Sequence, residues 1–136
     1  MSFENLNGFD GGLAPSTRIA DDLSIPMDTS EFHVVFVTAP DLETARRLAS
    51  AALEARAAAC ANLITGLESH YWWQGKLECG VEVLVMFKTL LAQVETLREL
   101  VLKNHPYTTP EFIALPISHG TPDYLGWIRQ NVHPTA

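Results

Sequence analysis

The run His33-Val34-Val35-Phe36-Val37 is short, apolar and β-branched, which predicts a central strand. Thr38-Ala39-Pro40-Asp41 interrupts it, and Pro40 with acidic Asp41 and Glu43 suits the start of a helix. Leu42, Ala45, Leu48, Ala49, Ala52 and Leu53 then recur on one helical face. From Cys60 to Trp73 the pattern reads as one long or bulged strand containing Gly66, followed by a turn at Gln74-Gly75-Lys76. A returning strand from Gly80 to Lys88 puts Val81, Val83, Val85 and Phe87 on one face and Glu82, Leu84, Met86 and Lys88 on the other. Leu90 to Lys103 predicts a second amphipathic helix, striped by Leu90 or Leu91, Val94, Leu97 and Val101, with Thr89 as its N-cap. Pro106 and Pro110 make Asn104 to Pro110 a loop. Phe112 to Leu115 is a last strand, ended or placed at an edge by Pro116, and Thr121-Pro122 opens a terminal helix through Tyr124, Leu125 and Ile128.

Strand, helix, strand, strand, helix, strand is the order of an α+β ferredoxin-like βαββαβ sandwich, here with an additional C-terminal helix. Both main helices fall on one face of the antiparallel sheet and leave the other uncovered. That face is not polar: Leu84 and Met86 lie on one strand, and Tyr71, Trp72 and Trp73 on its neighbour. Alternation places Tyr71 and Trp73 on one side and Trp72 on the other. An apolar patch of this size predicts a partner, and the simplest is a second copy of the chain packed through the sheet.

The chain has 136 residues, of which 47% are hydrophobic, and a net charge of −7. That is the composition of a single globular domain. No basic stripe is present to meet phosphates, so a nucleic-acid binder is excluded. No apolar run approaches the roughly 18–20 residues of a membrane span. Residues 1–31 hold six acidic side chains against Arg18 alone and show no periodicity, so they read as a flexible acidic leader before a domain at 32–136. Without a signal or transit pattern, the cytoplasm is the expected location. Cys60 and Cys79 form no C-x-x-C pair and read as buried or half-buried thiols.

Phosphate-loop, dinucleotide, HExxH and nucleophile-elbow signatures are lacking, and the expected protein is not an enzyme. The polar candidates gather at Asn104 to Glu111 and at Ser118-His119-Gly120. His105 suits a ligand or a proton shuttle, but more readily a structural imidazole bonded to a carbonyl. Glu111 offers a carboxylate, Tyr107 an aromatic ring over a cleft, and Lys76 and Lys88 cationic groups for an anion. His33, His70 and His133 stand singly. A metal site drawing on His105, Glu111, Cys60 and His119 lacks ligand spacing in sequence and has to be assembled by folding or across subunits.

Several segments together are similar to the CutA family, the divalent-cation tolerance proteins. They are Val35 to Asp41, Ala58 to Ile64, Tyr71 to Glu78, Glu82-Val83-Leu84, Phe87-Lys88-Thr89, His105-Pro106-Tyr107, Pro110 to Ile113 and Tyr124 to Trp127, in order across residues 33–132. The resemblance implies a ferredoxin-like subunit in a tight homotrimer. Its long hairpin strands would pair between subunits, and its terminal helix, with Trp127, would tie neighbours together. It implies a non-enzymatic role in divalent-cation tolerance, copper above all, with no cofactor required and weak metal binding at most. Of the family's copper-ligand positions, a cysteine before Thr-Ala-Pro and two histidines before Pro-Tyr, this chain keeps only His105; Val37 and Asn104 fill the others, and Thr108 stands where many members are acidic. The shared topology also suggests a likeness to the nitrogen-regulatory PII proteins, and hence a signalling trimer binding a small anionic metabolite between subunits.

If the uncovered sheet face is an interface, sedimentation at micromolar concentration will show a multiple of the 15.0 kDa chain. A species of that mass alone refutes the expectation.

Overall fold

A computed structural model describes residues 29–133. Strand β1 (Phe32–Ala39) leads into helix α1 (Leu42–Glu54), then β2 (Cys60–Trp73), β3 (Lys76–Leu90), helix α2 (Leu91–Asn104), β4 (Ile113–Pro116) and helix α3 (Pro122–Asn131). The strands form one antiparallel sheet in the order β2-β3-β1-β4. This is the ferredoxin-like arrangement with a C-terminal helix added. Pro116 lies on an edge strand, where its missing amide costs no ladder bond.

The strand pleat sorts the sheet into two faces. Val35, Val37 and Ala39 stand opposite Phe87, Val85 and Val83, and all six are buried. Against them pack Ala45, Leu48 and Ala52 of α1 and Leu97 and Val101 of α2, completing the main core. The small residues of α1 let its axis approach the sheet closely. Leu53, expected on this stripe, is exposed, and Thr44 is buried in its place. Asp41 is the N-cap of α1, its carboxylate accepting the Thr44 amide at 2.7 Å.

The start of α2 departs from expectation. Thr89 is the penultimate residue of β3, wholly buried, and its hydroxyl donates to the Ala57 carbonyl at 2.6 Å. The N-cap position falls to Leu90, which has no side chain able to cap; the Leu91 amide instead donates to the Glu31 carbonyl. A threonine before a helical stripe looks the same in sequence whether its hydroxyl caps the helix or ties β3 to the end of α1. Gln93, absent from the predicted stripe, is buried, and its amide donates to the His133 carbonyl at 2.7 Å.

The expected leader boundary also moves. The Phe32 amide donates to Thr29, the Thr29 hydroxyl to the Ser118 carbonyl, and Arg129 pairs with Glu31. Residues 29–31 therefore belong to the folded unit; the rest of the leader lies outside the described residues.

On the second sheet face, α3 covers one end. Leu125, Trp127 and Ile128 pack with Phe32 and Val132, with Cys60 and Leu90 at the margin. Trp127 is only 8% exposed inside its own chain, so it is not the free interface anchor expected of it; α3 needs it to seal this second core. The rest of the face carries half-buried Val34, Phe36, Leu84 and Met86 and exposed Ile64, Ile113 and Leu115.

Past Ile64 the β2–β3 ladder skips register, with Gly66 at φ +78°, and resumes at Leu67 opposite Glu82. From there a two-stranded arm runs to a tight turn in which Gln74 and Gly75 both have positive φ, 50° and 80°. The return strand begins at Lys76, earlier than the sequence pattern indicated, because a two-residue turn lets pairing start at once. Trp72, Leu77 and Val81 are 70%, 68% and 70% exposed on one side of the arm, and Tyr71 and Trp73 are exposed on the other.

Thr89→Val keeps the side-chain shape and removes the donor to Ala57. The expected loss is about 1–3 kcal/mol of folding stability, for a buried carbonyl left unpaired. Chemical denaturation at fixed protein concentration measures it, and an unchanged midpoint contradicts the assignment.

Candidate functional site

Where the arm leaves the sheet, it faces the loop after α2 across a cavity of about 860 Å³. The loop exists because Pro106 and Pro110 forbid helix, and His105 holds it in place. The His105 ring is buried. Its Nε2 lies 2.7 Å from the Thr38 carbonyl, and its Nδ1 accepts the Tyr107 amide at 3.1 Å. A carbonyl takes only a proton and an amide gives one, so these partners fix the neutral tautomer with the proton on Nε2. The ring packs against Tyr107 at a centroid distance of 4.7 Å and a tilt of 55°. Tyr107 in turn donates its hydroxyl to Glu82 Oε2 at 3.1 Å, reaching from loop to arm root.

The cavity wall is largely aromatic and apolar, with Tyr71, Trp72, Trp73 and Leu84, and its charged groups are carboxylates. Glu68, Glu82 and Glu111 line it, together with His70, which is 2.7 Å from Glu68. No lysine or arginine is among the lining residues. The phenol of Tyr107 is pushed up to about 12, by burial first and by the Glu82 carboxylate it serves second. The Glu111 carboxyl is raised above its ordinary value, again by burial first and then by repulsion from Glu82. Among the described residues the cleft's carboxylates have no lysine or arginine beside them in the lining.

The expected metal set does not come together. His105 has both ring nitrogens committed, so ligating a metal means giving up either Thr38 or the Tyr107 amide; its role in this chain is structural. Cys60 pairs with Lys88, which pairs with Val34. Thr38, the partner of His105, lies four residues further along β1, roughly 13 Å away. His119 belongs to the Cys60 end of the sheet: it contacts the Ser118 hydroxyl at 2.9 Å, next to Ile117, whose amide donates to Phe32. Glu111 alone of the four lines the cleft. Among the described residues no three His, Cys, Asp or Glu side chains are gathered to hold a metal ion. Val37 points into the main core, wholly buried, and the Asn104 side chain donates to the Leu100 carbonyl at 2.8 Å.

The anion reading is corrected as well. Lys88 sits at the far end of the sheet, donating to Asn62, and Lys76 sits at the arm's tip. Neither lines the cavity, and the carboxylates that do would repel a small anion. The Cys60 end forms a separate polar group: the thiol lies 3.7 Å from Asn62 Oδ1 and 3.9 Å from the Tyr124 hydroxyl.

Residues 33–131 match the family model described as CutA1 divalent ion tolerance protein. The chain belongs to the CutA1 family. The divalent-cation tolerance protein CutA of Citrobacter koseri is 43% identical over 113 residues, which are 83% of this chain and 95% of that protein. Among solved structures, the divalent cation tolerance protein of Thermus thermophilus shares 44% identity at a TM-score of 0.73, covering 75% of this chain and 99% of its own. CutA1 of Oryza sativa shares 40% at 0.75, covering 79% and 98%. Within this CutA1 fold, Glu82 and Glu68 are the cleft residues that sequence reasoning passed over. The signal for Glu82 was its parity: it alternates onto the same face as Leu84 and Met86, a charge on an otherwise apolar surface.

His105→Ala removes the donor to Thr38 and the acceptor for Tyr107. It is expected to cost about 1–3 kcal/mol of stability while leaving copper and zinc titrations unchanged. Metal binding that disappears with His105 in a folded protein overturns the structural role given to it.

Proposed function

We propose that this CutA1-family chain serves divalent-cation tolerance as a non-enzymatic homotrimer whose acidic clefts attract divalent cations weakly. The observation that carries the cation part is the cavity itself: Glu68, Glu82 and Glu111 line it and no lysine or arginine does. Such a site concentrates cations by field rather than by directed coordination. It is open to hydrated ions, and weak association is what a grouping short of a full ligand set supports. Copper is the ion the family resemblance favours. The chemistry needs no resident cofactor and no bond-making step.

Assembly is supported by the apolar side chains left uncovered. Tyr71, Trp72 and Trp73 on the arm, with Leu84 and Met86 on the open sheet face, form the surface assigned to the interface, and Leu77 and Val81 extend it. An arm with large apolar residues exposed on both sides is not stabilised by one chain, since an isolated two-stranded hairpin is marginal in water. Three is the number the family resemblance implies. The cytoplasm remains the proposed compartment, supported by two unpaired cysteines, one of them exposed.

Calorimetric titration of the full chain with copper and zinc tests the cation reading. Wild type is expected to bind saturably, and the Glu82→Gln/Glu111→Gln double variant at least tenfold more weakly, a difference of about 1.4 kcal/mol. Substituting Cys60 and Cys79 by serine in the same titration is expected to change little. Equal binding by the carboxamide variant removes the cleft from the function.

A further inference from the structure

We propose that Lys76 of a second copy of this chain reaches the acidic cleft and pairs with Glu82 and Glu111, so that a divalent cation holds the cleft only in competition with it. The inference rests on the assembly reading above and adds to it a specific polar contact by which one copy completes the site of another.

Between Ala57 and Phe87 the sequence holds a single lysine or arginine, Lys76. It is the first residue after the arm's turn, paired with Trp73 and exposed. Among the described residues no ion pair engages it, whereas Arg98, Arg129 and Lys88 have Glu95, Glu31 and Asn62. The cleft is its opposite: two carboxylates close enough to repel, with the Tyr107 hydroxyl on Glu82 as the bond that quiets either. The two halves do not meet within one chain. Lys76 and Glu82 are six residues apart on the same strand, roughly 20 Å along it. A strand cannot fold back on itself to close that gap, but the arm tip of a neighbour can cross it.

The surroundings of Lys76 fit such an insertion. Trp73 stands across from it and Leu77 follows it, both largely exposed in one chain. The cleft that would receive the tip offers the rings of Tyr71 and Tyr107 beside its carboxylates. Burying the apolar flanks would remove water from the ion pair and strengthen it. A lysine placed this way also sets orientation, since a copy docked the other way round leaves two carboxylates buried without a cation.

The test uses the full chain and charge reversal. Lys76→Glu and Glu111→Lys are each expected to raise the concentration at which the oligomer dissociates, measured by sedimentation, at least tenfold. The Lys76→Glu/Glu111→Lys double variant is expected to recover most of that loss. Glu111 is on an exposed loop, and circular dichroism confirms that each variant is folded. As a second readout, Lys76→Cys and Glu111→Cys chains, both with Cys60 and Cys79 replaced by serine, are mixed and oxidised; a disulfide-linked dimer is expected on a denaturing gel. If wild type sediments as a monomer, the assembly reading falls and this contact with it. If wild type is oligomeric but the single reversals dissociate like wild type, the double variant recovers nothing, or no linked dimer forms, the Lys76 contact is wrong and the assembly stands.

Discussion

The β2–β3 ladder outlasts the helices that cover it. Up to the bulge at Ile64 and Leu67, the helix-side face of each strand buries its side chains under α1 or α2, and the chain satisfies itself. Beyond Gly66 the backbone bonds continue while, among the described residues, only the loop after α2 approaches the ribbon, at its root. Hydrogen bonds alone add little net stability in water, and the arm's tryptophans, Leu77 and Val81 stay wet. Every functional feature follows from that mismatch. The cleft is the angle between the departing arm and the loop after α2, and the apolar surface that calls for partners is the arm's own.

The same departure explains how carboxylates come to sit on an otherwise apolar face. Glu82 is the first β3 residue paired beyond the bulge, where covering by the chain stops. A little deeper in the sheet an unpaired carboxylate would face a desolvation cost of several kcal/mol; at the arm root it keeps water on one side and the Tyr107 hydroxyl on the other. His105 makes that arrangement rigid. By spending both nitrogens on backbone groups, it fixes the loop's distance from β1 and hence the height of Tyr107 over Glu82. The histidine that sequence alone offers as a ligand is worth more to the cleft as a brace.

Much of the fold was legible because periodicity reports burial directly. Alternation in β1 and β3, the alanine-rich stripe of α1 and the two-proline loop each translate into geometry without knowledge of distant residues. The bulged β2 and the Pro116 edge were readable for the same reason. What failed was whatever depends on partners far along the chain. Thr89 is tied to Ala57 and Gln93 to His133, at separations of 32 and 40 residues; for His105 a carbonyl partner was readable, but not that it is Thr38, 67 residues away. Trp127 looked available because an aromatic on a short terminal helix carries no sign of which surface that helix will seal. The candidate ligands suffered likewise. Cys60 and His119 do share one end of the sheet, but His105 and Glu111 belong to the other, and sequence spacing encodes neither.

The bulge thus divides the chain into a body that meets its own needs and an arm that does not. Phe32, Phe87, Leu48 and Leu97 are fully buried by a single copy, so the core of the sheet and its helices is complete within one chain. In the proposed assembly the arm would gain its apolar burial on docking, each copy both lending an arm and offering surfaces to cover one. In a closed ring of such copies the need repeats at every subunit and is met at every subunit. Removing one copy would expose apolar arm surface and an acidic cleft together. Coupling of that kind would make the proposed assembly cooperative, and would place the charge chemistry of the cleft under the control of the oligomer rather than of the fold alone.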